Sequence, residues 1–290
     1  MKSKLEQSSE LIEMSAALMR CPICETDLQF QAPRSLVCKE KHSFDLAKPG
    51  YLFLARHALK ATKYDQTLFE ARKRLIRTGF FKETMAEVLA QIEALQKSKL
   101  VLFDAGSGEG SHLAFLTKQL QETVRFAFGF DLAKEGIRQA ARDFSGITWA
   151  VADLANCPLQ TGSVDVIVNI LSPASYDEFS RLLAAQGILI KVIPEAHYLQ
   201  ELRQFFYQDE RQTYSNEAVA NRFYEHFDVV YEKRITKQKT LQKEEQVDLL
   251  TMTPLGFQIS EERKAAFLDS GTNQMTLDHR IIVGKKKADA

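Results

Sequence analysis

Residues 99–110 read KLVLFDAGSGEG, a run of apolar residues, an acid, and then glycines at alternate positions. Leu100 to Phe103 have the unbroken apolar character of a strand covered on both faces of a sheet. Gly106, Gly108 and Gly110 let the chain turn sharply after that strand and pass close to a ligand, because no Cβ stands in the way. The helix that follows, expected from Ser111 to about Gln121, aims its unpaired N–H groups at whatever occupies the loop. A dinucleotide fingerprint needs its third glycine at position 111, where this chain has Ser111. The stretch predicts an α/β sheet whose first strand feeds a ligand loop, and it argues against a pyrophosphate cradle.

Two further acids extend the pattern. Asp131 closes the apolar run Phe126–Phe130, where an acid at the end of a second strand accepts hydrogen bonds from ribose hydroxyls. Asp153 closes a third run, Ile147–Val151, and precedes Leu154. Singly, Asp104, Asp131 and Asp153 are equally well read as helix caps or turn residues. Together they set carboxylates along the C-terminal edge of one sheet, the edge where open α/β sheets bind ligands. This arrangement resembles the Rossmann-like methyltransferases that use S-adenosylmethionine, whose first motif is an acid followed by Gly-x-Gly-x-Gly. The resemblance implies that the loop holds the methionine end of the cofactor, that Asp131 holds its ribose, and that Asp153 and Leu154 border its adenine.

A second signal lies upstream. Cys21, Cys24, Cys38 and His42 follow the spacing C-x2-C-x13-C-x3-H, two tight pairs of ligands able to converge tetrahedrally on one ion. Three of the chain's four cysteines fall here, and in a reducing compartment zinc explains them better than disulfides. A complete set of four ligands leaves no open position, so the zinc is expected to be structural. It would contribute on the order of 10 kcal/mol to folding a segment too small to bury its own core.

With 290 residues, 45% of them hydrophobic, the chain is long enough for one sizeable core and one or two small modules. No apolar run approaches the roughly 18 residues of a membrane span, and the N-terminus lacks the apolar core of a signal peptide. No membrane contact and a cytoplasmic location are therefore expected. The 38 basic and 38 acidic residues cancel, so bulk charge does not announce nucleic acid. Their distribution is uneven: Arg34 to Lys82 holds 12 Lys and Arg against four acids, whereas positions 101–200 hold seven against 11. A polyanion-binding surface explains the basic run, and so does a solvated face.

Along the chain, a short helix is expected within residues 5–19, a hairpin or ribbon around Lys48-Pro49-Gly50 in Ser43–Leu54, and a basic linker over 55–67. A cationic helix follows from Thr67, with Leu68, Ala71, Leu75 and Ile76 inward, and another over Met85–Leu95. Beyond the first strand the expected elements are a helix over Ala133–Phe144, a strand over Val164–Leu171, a helix over Tyr176–Ala184 and a strand over Gly187–Ile193. A helix beyond Leu202, a strand near Phe227–Ile235, a helix around Glu245–Thr251 and a strand over Thr276–Val283 complete the list. The fold class is α/β, a Rossmann-like core with a small N-terminal zinc-binding module. The expected division is a lead-in at 1–20, the zinc module at 21–54, a basic linker and helices at 55–98, and the methyltransferase domain at 99–290.

Five blocks in order carry a narrower resemblance: CPIC from Cys21, LVCKEKHSFDLAKPGYLFL from Leu36, FEARKRLIRTGFF from Phe69, DAGSGEG from Asp104 and LTMTPLGF from Leu250. From about Cys21 to the C-terminus the chain resembles the 23S rRNA guanine-N1 methyltransferase family, closer to its Gram-positive, macrolide-resistance-associated subgroup. The resemblance implies zinc on Cys21, Cys24, Cys38 and His42, in agreement with the spacing. It implies a cofactor loop at Gly106, Gly108 and Glu109 supported by Asp104 and Asp131. Family members often carry Gly-His-Tyr where this chain has Gly79, Phe80 and Phe81, so Phe81 would make the aromatic contact with the cofactor. A family histidine before a Leu-x-Glu-Leu helix falls at Tyr198, with His197 one residue earlier. Asn169 to Pro173 sits where this class presents its target atom, which adds Asn169 to the cofactor site. The segment lacks the Asn-Pro-Pro-aromatic string of amino-group methyltransferases, which favours a ring nitrogen.

The implied reaction is methylation of a guanine N1 in a hairpin loop of 23S rRNA domain II, with that hairpin as partner and a homodimer forming an RNA cleft. Guanine N1 carries a proton near neutral pH, so a base or acceptor is expected. Asp177 and Glu178 lie just past the target-presenting segment, but both equally suit the first turn of a helix, and the catalytic base stays unassigned. The zinc module and the helix Phe69–Arg77 are expected to grip the hairpin through phosphates. Replacing Arg72 and Arg74 by alanine would then weaken RNA binding and spare the cofactor. The alternatives are a small-molecule methyltransferase that uses the zinc module as a lid, and a non-catalytic RNA-binding protein. The intact Asp104, glycine and Asp131 set argues against the latter.

Overall fold

The structure is a computed structural model that describes residues 2–56, 64–208 and 215–287. In chain order its strands are β1 (Leu28–Gln31), β2 (Ser35–Cys38), β3 (Ser43–Asp45), β4 (Tyr51–Phe53), β5 (Leu100–Ala105), β6 (Val124–Asp131), β7 (Thr148–Val151), β8 (Val164–Ile170), β9 (Leu183–Pro194), β10 (Phe227–Thr240) and β11 (Gln274–Lys286). Its helices are α1 (Lys4–Ser15), α2 (Gln66–Arg77), α3 (Lys82–Glu93), α4 (Ser111–Gln119), α5 (Lys134–Asp143), α6 (Tyr176–Leu182), α7 (Gln200–Phe206), α8 (Glu217–His226), α9 (Lys243–Met252) and α10 (Glu261–Asp269).

A large sheet runs β10-β11-β9-β8-β5-β6-β7-β4, and a small antiparallel one runs β1-β2-β3. From β4 to β9 the strands of the large sheet are parallel; β11 pairs antiparallel with β9, and β10 antiparallel with β11, so only β11 runs against the rest. The chain moves outward one way from β5 through β6 and the other way through β8, so a topological switch opens between β5 and β8. Every residue of β5 and β8 is buried, as expected of central parallel strands. Alternate side chains of β5 enter different cores. Leu100 and Leu102 pack with α3, α4 and α5, while Val101, Phe103 and Ala105 pack with α1, α6 and α8.

The second core also receives Met19, Cys21, Leu36, Cys38 and Leu46, so the zinc-ligand segment is anchored on one face of the sheet. The first 20 residues, which lie outside the family resemblance, take part in it. Ser3 and Glu6 form a capping box at the start of α1, Ile12 and Ala16 are buried, and Arg20 N–H donates to Pro158 O at 3.1 Å. The turn expected at Lys48-Pro49-Gly50 is present, with Ala47 N–H on Tyr51 O at 2.9 Å. Its outgoing strand does more than finish a ribbon, because β4 pairs in parallel with β7, Leu52 against Ala150, and forms the edge of the large sheet.

The 57–63 part of the expected linker lies outside the described residues. Asp65 caps α2 by accepting from Leu68 N–H at 2.9 Å. The helix expected to reach Ala184 stops at Leu182, because β9 takes over at Leu183. The strand expected over Phe227–Ile235 continues to Thr240 against β11. Helix α10, capped by Ser260, was not anticipated, and Phe267 is its one buried residue.

Candidate active site and metal centre

The four metal-ligand candidates converge. Cys24 Sγ and Cys38 Sγ are 3.6 Å apart, Cys38 Sγ and His42 Nδ1 3.3 Å, Cys21 Sγ and His42 Nδ1 3.6 Å, and all four ligand atoms lie within 4.8 Å of one another. Two tight turns bring them there: Glu25 N–H donates to Cys21 O and Lys41 N–H to Cys38 O, both at 2.9 Å, with Glu25 and Lys41 at positive φ. Burial pushes the Cys21 thiol up to about 11, while hydrogen bonds to Thr26 bring Cys24 down to about 6. Three sulfurs and one imidazole nitrogen at these spacings suit tetrahedral zinc, with bonds of about 2.3 Å to sulfur and 2.0 Å to nitrogen.

At the end of β5 the chain turns through Gly106 (φ 88°) and Gly108 (φ 54°). A Cβ on Gly106 would stand 2.0 Å from Ser172 Oγ, and one on Gly108 would stand 3.0 Å from Arg72 Nη1. These two glycines keep the loop open. Gly110 has a different task from the one expected of it: a Cβ there would meet the Trp149 ring at 2.5 Å and Ala140 Cβ at 2.9 Å, so it admits core packing of α5 and β7 and not a ligand. Asp131 ties the loop down, accepting from Gly108 N–H and Ala133 N–H, each at 2.8 Å.

The loop gathers buried acids. Burial pushes the Asp104 carboxyl up to about 7, opposed by Arg72 and reinforced by Asp131 and Glu109. Burial raises Glu109 and Asp131 as well, Arg72 pulling against the first and backbone N–H groups of Ala133 and Gly108 against the second. Among the described residues, Ser107 Oγ, Glu109 Oε1 and both ring nitrogens of His112 are buried without a hydrogen-bond partner. Such atoms are rare in finished cores, and here they surround the glycine cradle. Unmatched donors, acceptors and acids beside an open loop fit a polar, cationic cofactor such as S-adenosylmethionine.

Beside the loop a cavity of about 1000 Å³ opens at the C-terminal ends of β8 and β9. Phe81 and Tyr198 both line it, and both contact the buried His279, at ring-centroid distances of 5.9 and 4.9 Å. His197 is exposed and bonded to Gln200, so Tyr198 is the one of the two that reaches the cavity. Ser172 and Pro173 form part of the wall after Leu171, which holds φ 52°, a strained value for this residue type.

Asn169 is fully buried below this segment. Its Nδ2 donates to Ala105 O at 2.6 Å and Pro173 O at 3.1 Å, and its Oδ1 accepts from Lys191 Nζ. Both amide hydrogens are used within the protein, so Asn169 fixes the segment from beneath, and its Oδ1 keeps one acceptor position beyond the bond from Lys191. Asp153 is exposed and caps the turn 154–156 through Ala155 N–H at 2.9 Å, and Leu154 Cδ1 reaches within 3.9 Å of a Cβ position on Gly106.

Two expectations change. Arg74 makes a two-point ion pair with Asp248 of α9, Nε to Oδ2 at 3.0 Å and Nη2 to Oδ1 at 2.7 Å. Lys73 pairs with Asp143 of α5, and Arg72 lies over the glycine loop, so three of the four cations of α2 fasten the helix onto the core, while Arg77 at its end is exposed. Asp177 is exposed beside His226, and Glu178 is bound to Arg181 and Cys157 N–H, so neither candidate base faces the cavity. Arg72, His112, Lys191 and His279 were not singled out for the site from sequence. For the two histidines and the lysine the available signal was a polar residue inside an apolar helix face or strand.

Residues 19–57 match the family model described as RlmA, N-terminal, a zinc ribbon, and residues 102–187 match the one described as methyltransferase domain. YxjB of Bacillus subtilis (strain 168), named as a 23S rRNA (guanine-N(1)-)-methyltransferase, is 38% identical over 277 residues, spanning 93% of this chain and 98% of its own. The chain belongs to the 23S rRNA (guanine-N1)-methyltransferase family. A second relative, the 23S rRNA (guanine(748)-N(1))-methyltransferase of Streptomyces fradiae, is 28% identical over 75% of this chain and 78% of its own. The solved structure of BH2331 of Bacillus halodurans C-125, described as a methyltransferase, superimposes with a TM-score of 0.50 at 15% identity, over 70% of this chain and 99% of its own, and supports the fold. As a member of this family the chain is an S-adenosylmethionine-dependent methyltransferase with a structural zinc ribbon on Cys21, Cys24, Cys38 and His42.

Proposed function

We propose that this protein methylates N1 of a guanine in a hairpin loop of 23S rRNA domain II. The observation that carries the reading is the joining of a zinc ribbon to the cofactor sheet through β4, in a chain that aligns over nearly its whole length with a relative named for guanine-N1 methylation of 23S rRNA.

Bound at the glycine loop, S-adenosylmethionine supplies an electrophilic methyl carbon to a nucleophile held in line with its sulfonium. Asp104 and the Gly106–Glu109 turn would then hold the methionine end, with Ser107 and His112 offering atoms that lack a hydrogen-bond partner and Glu109 a carboxylate that Arg72 approaches without a hydrogen bond. Asp131 takes the ribose, and Asp153 and Leu154 border the adenine. Phe81 and Tyr198 present ring faces or edges from the cavity wall, and Asn169 keeps Ser172 and Pro173 in position.

A guanine paired in a stem hides N1, so the target must sit in a loop or be flipped out and stacked on an aromatic group. A cavity of this size with Phe81, Tyr176 and Tyr198 in its wall accommodates such a base. With Arg72, Lys73 and Arg74 of α2 engaged inside the protein, the phosphate grip falls chiefly to the zinc ribbon, where Arg34, Lys39, Lys41 and Lys48 are exposed, with Arg77 of α2 exposed as well. An rRNA substrate goes with a cytoplasmic enzyme, and the homodimer implied by the family belongs to the same reading.

The test is transfer of labelled methyl groups to protein-free large-subunit rRNA, run beside a pool of small metabolites. Label in RNA, reduced by Lys39→Glu with Lys41→Glu, is the expected result. Label in metabolites and none in RNA overturns it.

A further inference from the structure

We infer that Lys191 accepts the N1 proton of the target guanine and so acts as the general base of the transfer, an assignment that rests on the guanine-N1 reading above. Lys191 lies near the C-terminal end of β9, where its strand neighbours Ile190 and Val192 are apolar and buried. It lines the cavity, and its Nζ donates to Asn169 Oδ1 and to Ser172 O, the backbone of the segment at which this class of enzyme presents its target. A neutral amine has two N–H bonds and one lone pair. The two carbonyl oxygens occupy the N–H bonds, and the lone pair remains for a substrate proton.

Among the described residues that line the cavity there is no aspartate, glutamate or histidine. Its other ionisable groups are Arg72, Arg203, Arg222 and several tyrosines. Arginine does not give up its proton in proteins, and a neutral phenol is a poor acceptor, Tyr176 being pushed by burial up to about 12. Asp104 of β5 and Glu109 belong to the glycine loop and are not among the residues that line the cavity, Asp248 of α9 is on Arg74, and the other acids on the surrounding elements are engaged or turned away. Glu178 of α6 is on Arg181, Glu195 on Arg280, Glu201 of α7 on Thr276, Asp278 of β11 on Arg234, and Asp177, Glu217 and Glu225 are exposed. On β11 the residue paired with Lys191 is Ile282. Burial alone brings the Lys191 ammonium from 10.5 down to about 8, where a base serves near neutral pH.

In the step, the guanine N1–H bond breaks and its proton forms a third N–H bond on Nζ. The electron pair left on N1 forms the bond to the methyl carbon, and the carbon–sulfur bond breaks with its pair going to sulfur. The ammonium then releases the proton to solvent.

The experiment compares wild type, Lys191→Met, Lys191→Gln and Lys191→Arg. It measures single-turnover methyl transfer to the rRNA hairpin from pH 6 to about pH 9.5, calorimetric S-adenosylmethionine affinity, and [13Cε]lysine NMR titration of the free protein. The wild-type rate should rise with pH and level off near 8. Lys191→Met should lose about 10²–10⁴-fold at pH 7, bind the cofactor normally and show no levelling. One lysine signal should titrate near 8 and vanish in the variants.

Arginine and glutamine retain donors for Asn169 and Ser172, so recovery in either variant, or an unchanged pH profile in Lys191→Met, overturns the assignment in favour of a positioning role. So does a Lys191 signal that titrates at its ordinary value, a result that holds even if the variants fail to fold. If wild type produces N1-methylguanosine and Lys191→Met matches its rate, the base assignment alone fails. If the wild-type product is methylated elsewhere, the guanine-N1 reading and the base assignment fail together.

Discussion

Arg72 Nε stands 3.8 Å from Glu109 Oε1, and Nη1 of the same guanidinium lies 3.0 Å from where a Cβ on Gly108 would be. That contact makes α2 the roof of the cofactor loop, in a stretch whose charge fits a polyanion-binding surface and a solvated face equally well.

The two arginines of α2 should therefore separate. Arg72→Ala removes the cation that pulls down Asp104 and Glu109, leaving both acids more protonated, and should weaken S-adenosylmethionine binding at pH 7 by about tenfold. Arg74→Ala should leave that affinity unchanged and lower stability by about 1 kcal/mol, because its partner Asp248 is mostly buried while Arg74 itself is half exposed. Calorimetry and thermal unfolding distinguish them. Weakened RNA binding with normal cofactor affinity in Arg72→Ala would restore the phosphate-grip reading of α2.

Cofactor binding should depend on pH through Asp104. Its folded value is raised from 3.8 to about 7, so between those values the folded chain holds a proton that the unfolded chain has lost. This group's contribution to stability is therefore present at low pH and is lost as pH rises through 7. A cation arriving beside it favours the carboxylate and expels the proton. Affinity should fall up to tenfold per pH unit below about 7 and flatten above it. Asp104→Asn should bind weakly with a flatter profile, and titrations in buffers of different ionisation enthalpy should detect the released proton.

Zinc removal should reach beyond the ribbon. Cys21 and Cys38 are buried in the core shared with Phe103 and α6, and β4 continues from the ribbon into the large sheet. Cys38→Ala should lose a stoichiometric zinc and lower the melting temperature by more than about 10 °C, since structural zinc contributes on the order of 10 kcal/mol. Metal analysis and calorimetry check both, and a zinc-free protein with the wild-type melting temperature would refute the coupling.

The glycines of the loop should not be equivalent to those outside it. Gly110→Ala forces a Cβ to 2.5 Å from Trp149 at φ 85° and should cost on the order of 3 kcal/mol. Gly146→Ala, with φ 76° but open space around it, should cost about 1 kcal/mol. Equal losses in urea unfolding would show that backbone conformation alone sets both.

Short-range pattern made much of this legible. The apolar run of β5, the acid and glycines behind it, and the cysteine spacing are each written within a few residues; the structure buries β5 and brings the four ligand atoms together, while Gly110 turns out to admit core packing. What the chain hides is the identity of distant partners. Nothing near Arg74 announces Asp248, 174 positions away, so a run of cations read as a surface when it was a set of fastenings. Likewise Lys48-Pro49-Gly50 revealed a turn, while the pairing of β4 with β7 depended on residues a hundred positions later. Asn169 reads as a ligand residue from its place in the segment, and only its partners show that both amide hydrogens fasten Ala105 and Pro173. Lys191 was the readable omission. A lone cation in GILIKVIP is costly to bury unless it has partners or a task, and that local conflict was visible in the sequence.

Methyl transfer to unmodified 23S rRNA, followed by reverse transcription and nucleoside analysis, reads the substrate, the position and the atom in one experiment. N1 methylation blocks base pairing, so the predicted result is a single new stop at one guanine of a domain II hairpin, with N1-methylguanosine in the digest. Stable cofactor binding with no stop and no methylated guanosine, or methyl label confined to small molecules, would contradict the proposed reaction.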